Sequence, residues 1–307
     1  MKKGIIKKGI QFYKRYGIRG GIATLTGQGQ IKDKNYAVWY EKNKVSEEEL
    51  EKQRNKEFPY MPLFSILVPV YNTPIPYLRE MLDSVRNQTY QKWQLCIANA
   101  NPENEEVARI LNQYLEMDKR IQVVNVPENL GIAQNTNKAL SIAKGDYIGL
   151  LDHDDMLAAD ALFEVAKTVN DENADVIYTN EDKITMSGEK HFQPNFKPEF
   201  NLDMLRSNNY ICHFFIAKAS LMKGIGGFRG EYNGAQDYDM IFQCTERADN
   251  IVRIPKVLYH WRMHEQSTAE NPESKRYAFD AGKKVIEDHL KRYGESAEVE
   301  MTEYPGF

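Results

Sequence analysis

The segment from Tyr147 to Asp155 constrains the fold of this chain more than any other stretch. It begins with a short run of mostly apolar residues, which is typical of a strand buried on both faces in a parallel sheet. Acidic residues follow directly, so we predict that they lie at the carboxyl end of that strand, where open α/β sheets bind ligands. Asp152 and Asp154 are two residues apart and should project from one side of an extended backbone.

Two neighbouring carboxylates repel each other unless a cation or a hydrogen-bond donor lies between them. Hard, oxygen-liking cations such as Mg²⁺ or Mn²⁺ meet this need and can also carry a diphosphate. A solvated acidic turn that caps the helix predicted from Ala158 explains the same residues. For an isolated Asp-X-Asp pattern we would prefer that simpler interpretation, but the motifs described below reverse the preference.

Strands and helices alternate along most of the chain, which predicts crossover connections and a parallel sheet. The predicted strands are 64–70, 93–98, 121–126, 146–151, 174–180, 210–217 and 251–258. The predicted helices in this part are 76–88, 103–117, 131–143, 158–169, 236–247 and 273–293. Residues 188–201 are polar and contain proline, so we predict a loop there.

Composition limits the classes of function. The 307 residues carry a net charge of -4, so nothing global indicates nucleic-acid binding. Three widely spaced cysteines, without metal-type spacing, are typical of a reducing compartment. No stretch approaches the roughly 18 apolar residues that a membrane span requires. We therefore expect a cytoplasmic protein.

Residues 1–20 contain seven basic side chains and precede the first acidic residue, Asp33. Ile6, Ile10 and Tyr13 recur at helical spacing, and a basic amphipathic helix is typical of binding to a membrane surface. The region lacks the apolar core and cleavage site of a signal peptide. A helix packed on the main domain fits the same residues equally well, so both interpretations stay open.

Six motifs follow one another through the central part of the chain. They are Ser65–Asn72, Glu128–Ala133, Gly145–Tyr147, Leu151–Asp155, Gly234–Asp239 and Tyr259–Arg262. In this order and spacing, over about residues 60–270, the chain resembles the family 2 glycosyltransferases of GT-A fold. It is most similar to the bacterial branch that builds rhamnose-containing and other cell-surface polysaccharides. The resemblance implies an α/β fold with a mostly parallel central sheet flanked by helices.

We predict three parts of the chain. Residues 1–60 form a basic, helical appendage, and residues 271–307 form a C-terminal helix and tail. Between them lies a catalytic domain, residues 61–270. The resemblance divides this domain into a nucleotide-binding half, 61–155, and an acceptor half, 156–270.

The resemblance implies inverting transfer of a hexosyl or deoxyhexosyl group from a nucleotide-diphosphate sugar to a saccharide or lipid-linked saccharide acceptor. It also implies a divalent metal, Mn²⁺ or Mg²⁺. Asp154 fits a metal ligand, and Asp152 fits a metal or ribose contact. His260 stands where such enzymes often supply a third metal ligand, and His264 is its alternative. Arg262 can pair with diphosphate oxygens in bidentate fashion.

By the same resemblance Asp237 is the general base, because an inverting attack needs a carboxylate beside the acceptor hydroxyl. Asp239, two residues further on, is a rival base. The simpler interpretation of Asp237 is an acid that caps a helix.

The resemblance also predicts the residues that contact the nucleotide sugar. Besides Asp152 and Arg262 they are Pro69, Tyr71, Asn72, Asn99, Gly131 and Asn137. The family usually has an acid at the position of Asn99, often an arginine at that of Thr136, and commonly an acid at that of Asn180. The departure at Asn99 leaves the identity of the nucleobase open, and the three departures together indicate either an altered choice of donor or a weakened enzyme.

Two other functions compete with a glycosyltransferase. The departures at Asn99 and Asn180 favour a catalytically weak or inactive sugar-nucleotide-binding subunit of a synthase complex. A nucleotidyltransferase would carry a glycine-rich, basic loop after its first strand, whereas Tyr71-Asn72-Thr73-Pro74 stands there.

Overall fold

A computed structural model of the chain describes residues 28–263 and 276–302. In this part of the chain nine strands form one sheet with helices on both faces, which confirms the predicted α/β class. The strands are β1 Phe64–Val70, β2 Trp93–Asn99, β3 Ile121–Asn125, β4 Tyr147–Leu150, β5 Met156–Leu157, β6 Val176–Ile184, β7 His191–Asn195, β8 Phe215–Lys218 and β9 Ile251–Arg262. The α-helices are α1 Gln28–Asn43, α2 Glu47–Arg54, α3 Ile75–Arg86, α4 Glu105–Met117, α5 Ile132–Ser141, α6 Ala161–Glu172, α7 Leu202–Ser207, α8 Ala219–Ile225, α9 Gln236–Thr245 and α10 Arg276–Tyr293.

The predicted basic helix over residues 1–20 lies outside the described residues, as does His264. Among the helices that the structure does describe, none combines the length and the apolar character that crossing a bilayer requires.

The strands lie in the order β3-β2-β1-β4-β8-β6-β9-β5, and β7 pairs with β6. The first four strands are parallel, and β1 and β2 are buried along nearly their whole length. Apolar strands of this kind need helices on both faces. The register sets Val70 beside Asn99 and Asn99 beside Asn125, so the carboxyl ends of β1, β2 and β3 meet at one edge of the sheet.

Two hydrophobic clusters, one on each face of the sheet, hold the layers together. In β1, Ile66 and Val68 belong to the first cluster and Leu67 belongs to the second, as the period of two along a strand requires. Helices α3, α4 and α6 bury apolar side chains in the first cluster, and α5, α8, α9 and α10 do so in the second. The result is a three-layer arrangement of helix, sheet and helix.

Strands β6 and β9 pair in parallel and carry many of the polar residues of interest. Their register places Glu181 beside Tyr259 and Asp182 beside His260. Because successive side chains of a strand point to opposite faces, Glu181 and Tyr259 face one side of the sheet. Asp182 and His260 face the other side. This division determines which residues can meet in one site.

Three elements differ from the sequence predictions. The predicted loop 188–201 contains β7, an edge strand paired to β6, and an edge position tolerates Pro194. The predicted strand 210–217 begins only at Phe215. The sequence pattern does not predict α1, because this helix has no apolar stripe. Its packing depends on aromatic side chains such as Tyr36, which is buried.

Candidate active site

The acidic segment after β4 forms a loop that is fastened to β9. Asp155 is buried, and its carboxylate accepts hydrogen bonds from the hydroxyl of Tyr259 at 2.5 Å and the backbone N–H of Arg262 at 2.8 Å. Burial, and then the charges of Asp154 and Asp152, raise the pKa of Asp155. Asp155 is therefore an anchor of the loop and not a candidate ligand.

A cavity of about 1390 Å³ lies beside this loop. Its wall includes Pro69, Gly131, Asp152 and Asp237, four of the residues predicted to act in the site. Burial raises the pKa of Asp152, and the neighbouring charges of Asp154 and Asp237 raise it further. A carboxylate surrounded by like charges is stabilised by a cation, so this part of the cavity suits a metal ion.

Replacing Asp152 by asparagine should stabilise the metal-free protein. Because the folded-state pKa of Asp152 is raised, its ionised form destabilises the folded state at neutral pH, and this effect disappears as the pH falls through the folded-state pKa. We expect the free energy of unfolding to rise by about 1 kcal/mol at neutral pH. Urea unfolding in EDTA, at neutral pH and near the ordinary aspartate pKa, measures the difference. Equal stability of variant and wild type at neutral pH would contradict this expectation.

Asp237 lies in the first turn of α9 and lines the cavity. The Nδ2 of Asn209 donates a hydrogen bond to its Oδ2 at 3.0 Å. The rival Asp239 is fully buried away from the cavity wall, and the Nε of Arg229 donates to its Oδ2 at 2.9 Å. The structure thus places Asp237, and not Asp239, where a substrate can reach it. Its role as the base stays a prediction.

His260 lies on the face of the sheet that points away from the cavity. Its Nδ1 is 2.6 Å from Oδ1 of Asp182, whose Oδ2 is 2.8 Å from Nδ1 of His191. Within the described residues, these three are the one group of at least three His, Cys, Asp or Glu side chains whose donor atoms all lie within 4.8 Å of one another, as a metal site requires. The structure therefore does not bring together the predicted set of Asp152, Asp154 and His260. The alternation of side chains along β9 turns His260 away from the acids.

Arg262 is fully buried, and protein groups occupy its guanidinium. The Nε donates to the carbonyl oxygen of Asp154 at 2.8 Å, and Nη1 donates to the carbonyl oxygen of Met186 at 2.8 Å. The Nη2 forms an ion pair with Glu80 at 2.5 Å, and the ring of Tyr77 is 4.7 Å from the guanidinium carbon. Arg262 thereby joins the acidic loop to the turn after β6 and to α3. Binding of a diphosphate by Arg262 stays a prediction, and it requires the exchange of at least one of these contacts.

Amide side chains cluster at the carboxyl edge of β1, β2 and β3. Asn99 is buried, and its Oδ1 accepts from the backbone N–H of Asn101 at 3.3 Å while its Nδ2 donates to Asn125 at 3.4 Å. Asn72 has a left-handed backbone conformation (φ +52°), and its Oδ1 accepts from the Nδ2 of Asn101 at 2.7 Å. Tyr71 beside it is 46% exposed. The edge where the resemblance leads us to expect an acid is therefore polar and uncharged.

Gly131 and Asn137, both associated with α5, have different surroundings. Gly131 has φ +84°, and a Cβ at this position would meet Nδ2 of Asn233 at 2.8 Å, so the cavity wall requires glycine here. Asn137 does not line the cavity. Its amide donates to the carbonyl oxygen of Phe228 and accepts from the N–H of the same residue, each at 2.7 Å. Asn137 therefore holds α5 against the segment that precedes α9.

Two cavity residues are not singled out individually by the sequence pattern, although they belong to the segment 190–213 and to the C-terminal helix, from which we expect the acceptor pocket to be built. The ring of His213 stacks on Tyr259, with 4.8 Å between ring centroids, and the charge of His213 lowers the pKa of Asp152. A histidine inside an apolar run is a signal that could have identified it. Helical periodicity assigns Tyr277 to the core, but this side chain is 55% exposed, and it lines the cavity beside Gly234. Only the packing of α10 reveals that position.

Comparison of the sequence with known proteins gives a family match. The sequence model of Glycosyl transferase family 2 matches residues 65–224. An uncharacterized protein of Sinorhizobium fredii is 39% identical over 282 residues, which are 91% of this chain and 31% of that protein. The O-antigen biosynthesis protein RfbC of Myxococcus xanthus is 33% identical over 239 residues, which are 78% of this chain and 19% of that protein. The chain thus spans less than a third of either relative.

Solved structures share the fold at low sequence identity. TarS of S. aureus (residues 1–349) in complex with UDP-GlcNAc superposes with a TM-score of 0.62 at 20% identity, over 78% of this chain and 68% of that chain. The mannosyltransferase PcManGT from Pyrobaculum calidifontis, in complex with GDP-Man and Mn²⁺, has a TM-score of 0.54 at 16% identity, over 82% of this chain and 71% of that chain. These similarities confirm the predicted GT-A type of fold.

Proposed function

This chain belongs to glycosyl transferase family 2, and on that premise we propose that it is an inverting, metal-dependent enzyme. It moves a hexosyl or deoxyhexosyl group from a nucleotide-diphosphate sugar to a saccharide or lipid-linked saccharide. The observation that carries the proposal is that Asp152, after β4, and Asp237, in α9, line one cavity. Inverting displacement uses such a pair, because one end of the cavity holds the leaving group and a carboxylate at the other end takes the proton of the attacking hydroxyl.

The donor is proposed to lie along the carboxyl ends of β1, β2 and β4, between Pro69 and Asp152. The complexes of TarS with UDP-GlcNAc and of PcManGT with GDP-Man support a nucleotide sugar as the donor class. The amide of Asn99 can both donate to and accept from a base, so it suits either uracil or guanine. Asn72 and Tyr71 would face the same nucleoside.

The donor set beside the diphosphate position fits a divalent metal. Asp152 and Asp154 would hold the ion, because two carboxylates offer the oxygen ligands that Mn²⁺ and Mg²⁺ prefer. Burial raises the pKa of Asp152, and the charges of Asp154 and Asp237 raise it further, so a cation beside these carboxylates would favour the ionised form of Asp152. When bound, the ion supplies charge neutralisation for the departing diphosphate. The Mn²⁺ in the PcManGT complex supports this assignment.

The acceptor is proposed to enter from the other end of the cavity. Its wall there is formed by the residues after α7, by α10 and by the segment after α10, including Asn208, Asn209, Tyr277, Lys283 and Glu300. These amide, hydroxyl and charged groups suit a saccharide with many hydroxyls. The relative RfbC, an O-antigen biosynthesis protein, supports a role in the synthesis of a bacterial cell-surface polysaccharide such as capsule or cell-wall polymer.

A panel of nucleotide sugars tests this proposal. The purified chain is incubated with UDP-, GDP- and dTDP-sugars and Mn²⁺ or Mg²⁺, and release of the nucleoside diphosphate is followed with and without saccharide acceptors. Metal-dependent release from one donor supports an enzyme. Tight donor binding without release of the nucleoside diphosphate favours the alternative, an inactive binding subunit of a synthase complex. The buried amides Asn99 and Asn180 are the reason for considering this alternative. Failure to bind any nucleotide sugar contradicts both.

We also propose that residues 1–20 bring the protein to the inner face of the cell membrane. Each Lys or Arg near an anionic surface contributes about 1 kcal/mol, and salt screens this attraction. Deletion of residues 1–20 should therefore reduce sedimentation with anionic liposomes at low salt and leave soluble donor hydrolysis nearly intact. If the full chain ignores such liposomes, or if the truncated chain fails to fold, the segment packs on the catalytic domain or on a partner.

A further inference from the structure

The face of the sheet that points away from the cavity carries a second polar cluster. It consists of Asp182 of β6, His191 of β7 and His260 of β9. We propose that these three side chains bind a divalent transition-metal ion of the zinc class, in a site that is separate from the active site and covered by helix α1. The proposal does not depend on the transfer reaction.

The distances within the cluster are close to those of a metal site. Asp182 is fully buried and His260 is 4% exposed. The Nδ1 of His260 is 2.6 Å from Oδ1 of Asp182, and the Nδ1 of His191 is 2.8 Å from Oδ2. Donors held tetrahedrally at about 2.0–2.2 Å from zinc lie about 3.3–3.6 Å from one another. The donor atoms of the three residues lie within 4.8 Å of one another, so an ion fits after side-chain movements on the order of 1 Å.

The hydrogen atoms of the cluster mark where the ion would sit. In the hydrogen-bonded form the carboxylate of Asp182 accepts, so the Nδ1 of His191 and the Nδ1 of His260 each carry a proton that points at it. Movement of these protons to Nε2 turns both Nδ1 atoms into lone-pair donors aimed at the same place. The metal ion then occupies the place that the two protons have left, each proton stays on its ring at Nε2, and all three residues act as ligands.

Helix α1 supplies the supporting groups that a metal site needs. The hydroxyl of Tyr36 donates to Oδ2 of Asp182 at 2.7 Å, and the hydroxyl of Tyr40 is 3.4 Å from Nε2 of His260. The ring of Tyr40 also stacks on His191 at 3.8 Å between centroids. Imidazoles that bind metals almost always place their other nitrogen on such a partner. Because both tyrosines belong to α1, the ion would fasten this helix to the sheet.

The donor chemistry separates this cluster from the acidic loop of the active site. Two imidazoles and one carboxylate favour Zn²⁺, Co²⁺ or Ni²⁺, whereas Mg²⁺ and Mn²⁺ prefer oxygen donors such as Asp152 and Asp154. The same two-imidazole, one-carboxylate set holds Fe²⁺ in oxygenases, where open positions receive a substrate. Here the ring of Tyr40 covers His191, so a structural ion is the better match.

Titration of the untagged full-length chain with metals tests the proposal. The protein is stripped with EDTA and titrated with Zn²⁺ or Co²⁺ in the absence of nucleotide. We expect the protein to bind one equivalent of Zn²⁺, to give the visible absorption spectrum of tetrahedral Co²⁺, and to show a higher Tm with either metal. Addition of Mg²⁺ should give no visible absorption and no change in Tm. His191→Ala, at a partly exposed position, should lose the equivalent and the shift. Tyr40→Phe should retain the stoichiometry and weaken the affinity about tenfold.

Two control variants locate the ion. Asp154→Ala should retain the zinc equivalent, because Asp154 does not belong to the group of Asp182, His191 and His260. His213→Ala should retain it as well, which excludes binding by the pair of Cys212 and His213, whose Sγ and Nδ1 are 2.9 Å apart. Zinc binding that persists in His191→Ala, that disappears in Asp154→Ala, or that is absent from the wild type would overturn the proposal and leave a hydrogen-bonded cluster.

Discussion

Asparagine in place of Asp237 should lower the turnover number about 10²-fold or more and leave the affinity for the nucleotide sugar nearly unchanged. The substitution keeps the shape of the side chain and the contact with Asn209, but an amide cannot take the proton of the acceptor hydroxyl. Donor binding should survive because Asp237 is proposed to contact the acceptor hydroxyl and not the nucleotide sugar. Steady-state rates and calorimetric donor titration of the same preparation separate the two quantities.

Asp239→Asn is the matched control for this result. Asp239 is fully buried and paired with Arg229, so its loss should reduce the free energy of unfolding by about 1–3 kcal/mol and affect turnover only through stability. The turnover number of Asn209→Ala should lie between those of Asp237→Asn and Asp239→Asn, because this substitution removes the hydrogen bond that orients Asp237. If Asp237→Asn turns over normally while a folded Asp239→Asn is inactive, the base is Asp239.

Alanine in place of Asp154 should abolish both transfer and metal-dependent donor binding. One carboxylate fewer leaves Asp152 and the other candidate ligands, and these remaining groups cannot hold the ion against the charge of a diphosphate. Charge stabilisation by a metal amounts to several kcal/mol, so we expect a loss of about 10³-fold or more in turnover. Donor titration with and without Mn²⁺, together with the rate, measures the effect.

Asp155→Asn shows whether this effect comes from the metal or from the loop. Asp155 anchors the acidic loop to Tyr259 and Arg262, so its replacement should disturb the loop and the stability together. Asp154→Ala should instead retain the wild-type Tm in EDTA. Unchanged Mn²⁺-dependent donor affinity in Asp154→Ala would falsify the metal assignment.

The parallel half of the sheet can be predicted from the sequence because its strands are buried on both faces. The apolar run Phe64–Val70 leaves little choice of structure, and the acids after Tyr147–Leu150 indicate which end of β4 faces a ligand. The motif order then supplied the GT-A type of fold. The strand pattern and the family resemblance also predict Asp152 and Asp237 as site residues, and the structure brings both to one cavity.

His260 and Tyr277 show what sequence reasoning cannot reach. The face of the sheet to which a residue of β9 points depends on its register with β6, and that register is set by tertiary packing. Tyr277 fits the apolar stripe of α10 in periodicity, yet the helix turns it towards solvent at the cavity. Helix α1 has no stripe at all, and its aromatic rings meet their partners only in the folded chain.

The alternation along β9 has a consequence for how this chain can change over evolutionary time. Insertion or deletion of one residue within β9 would exchange the faces of the residues beyond it, so that His260 would enter the cavity and Trp261 would turn towards α1. We therefore expect length variation in turns such as 185–190, or at the irregular register between 254 and 259, where β9 already carries extra residues relative to β6. Point substitutions can occur within β9 itself, because neighbouring side chains lie on opposite faces of the sheet and each substitution changes only one face. The two faces of β9 can therefore diverge in residue type, but a change in the length of the strand affects both faces at once.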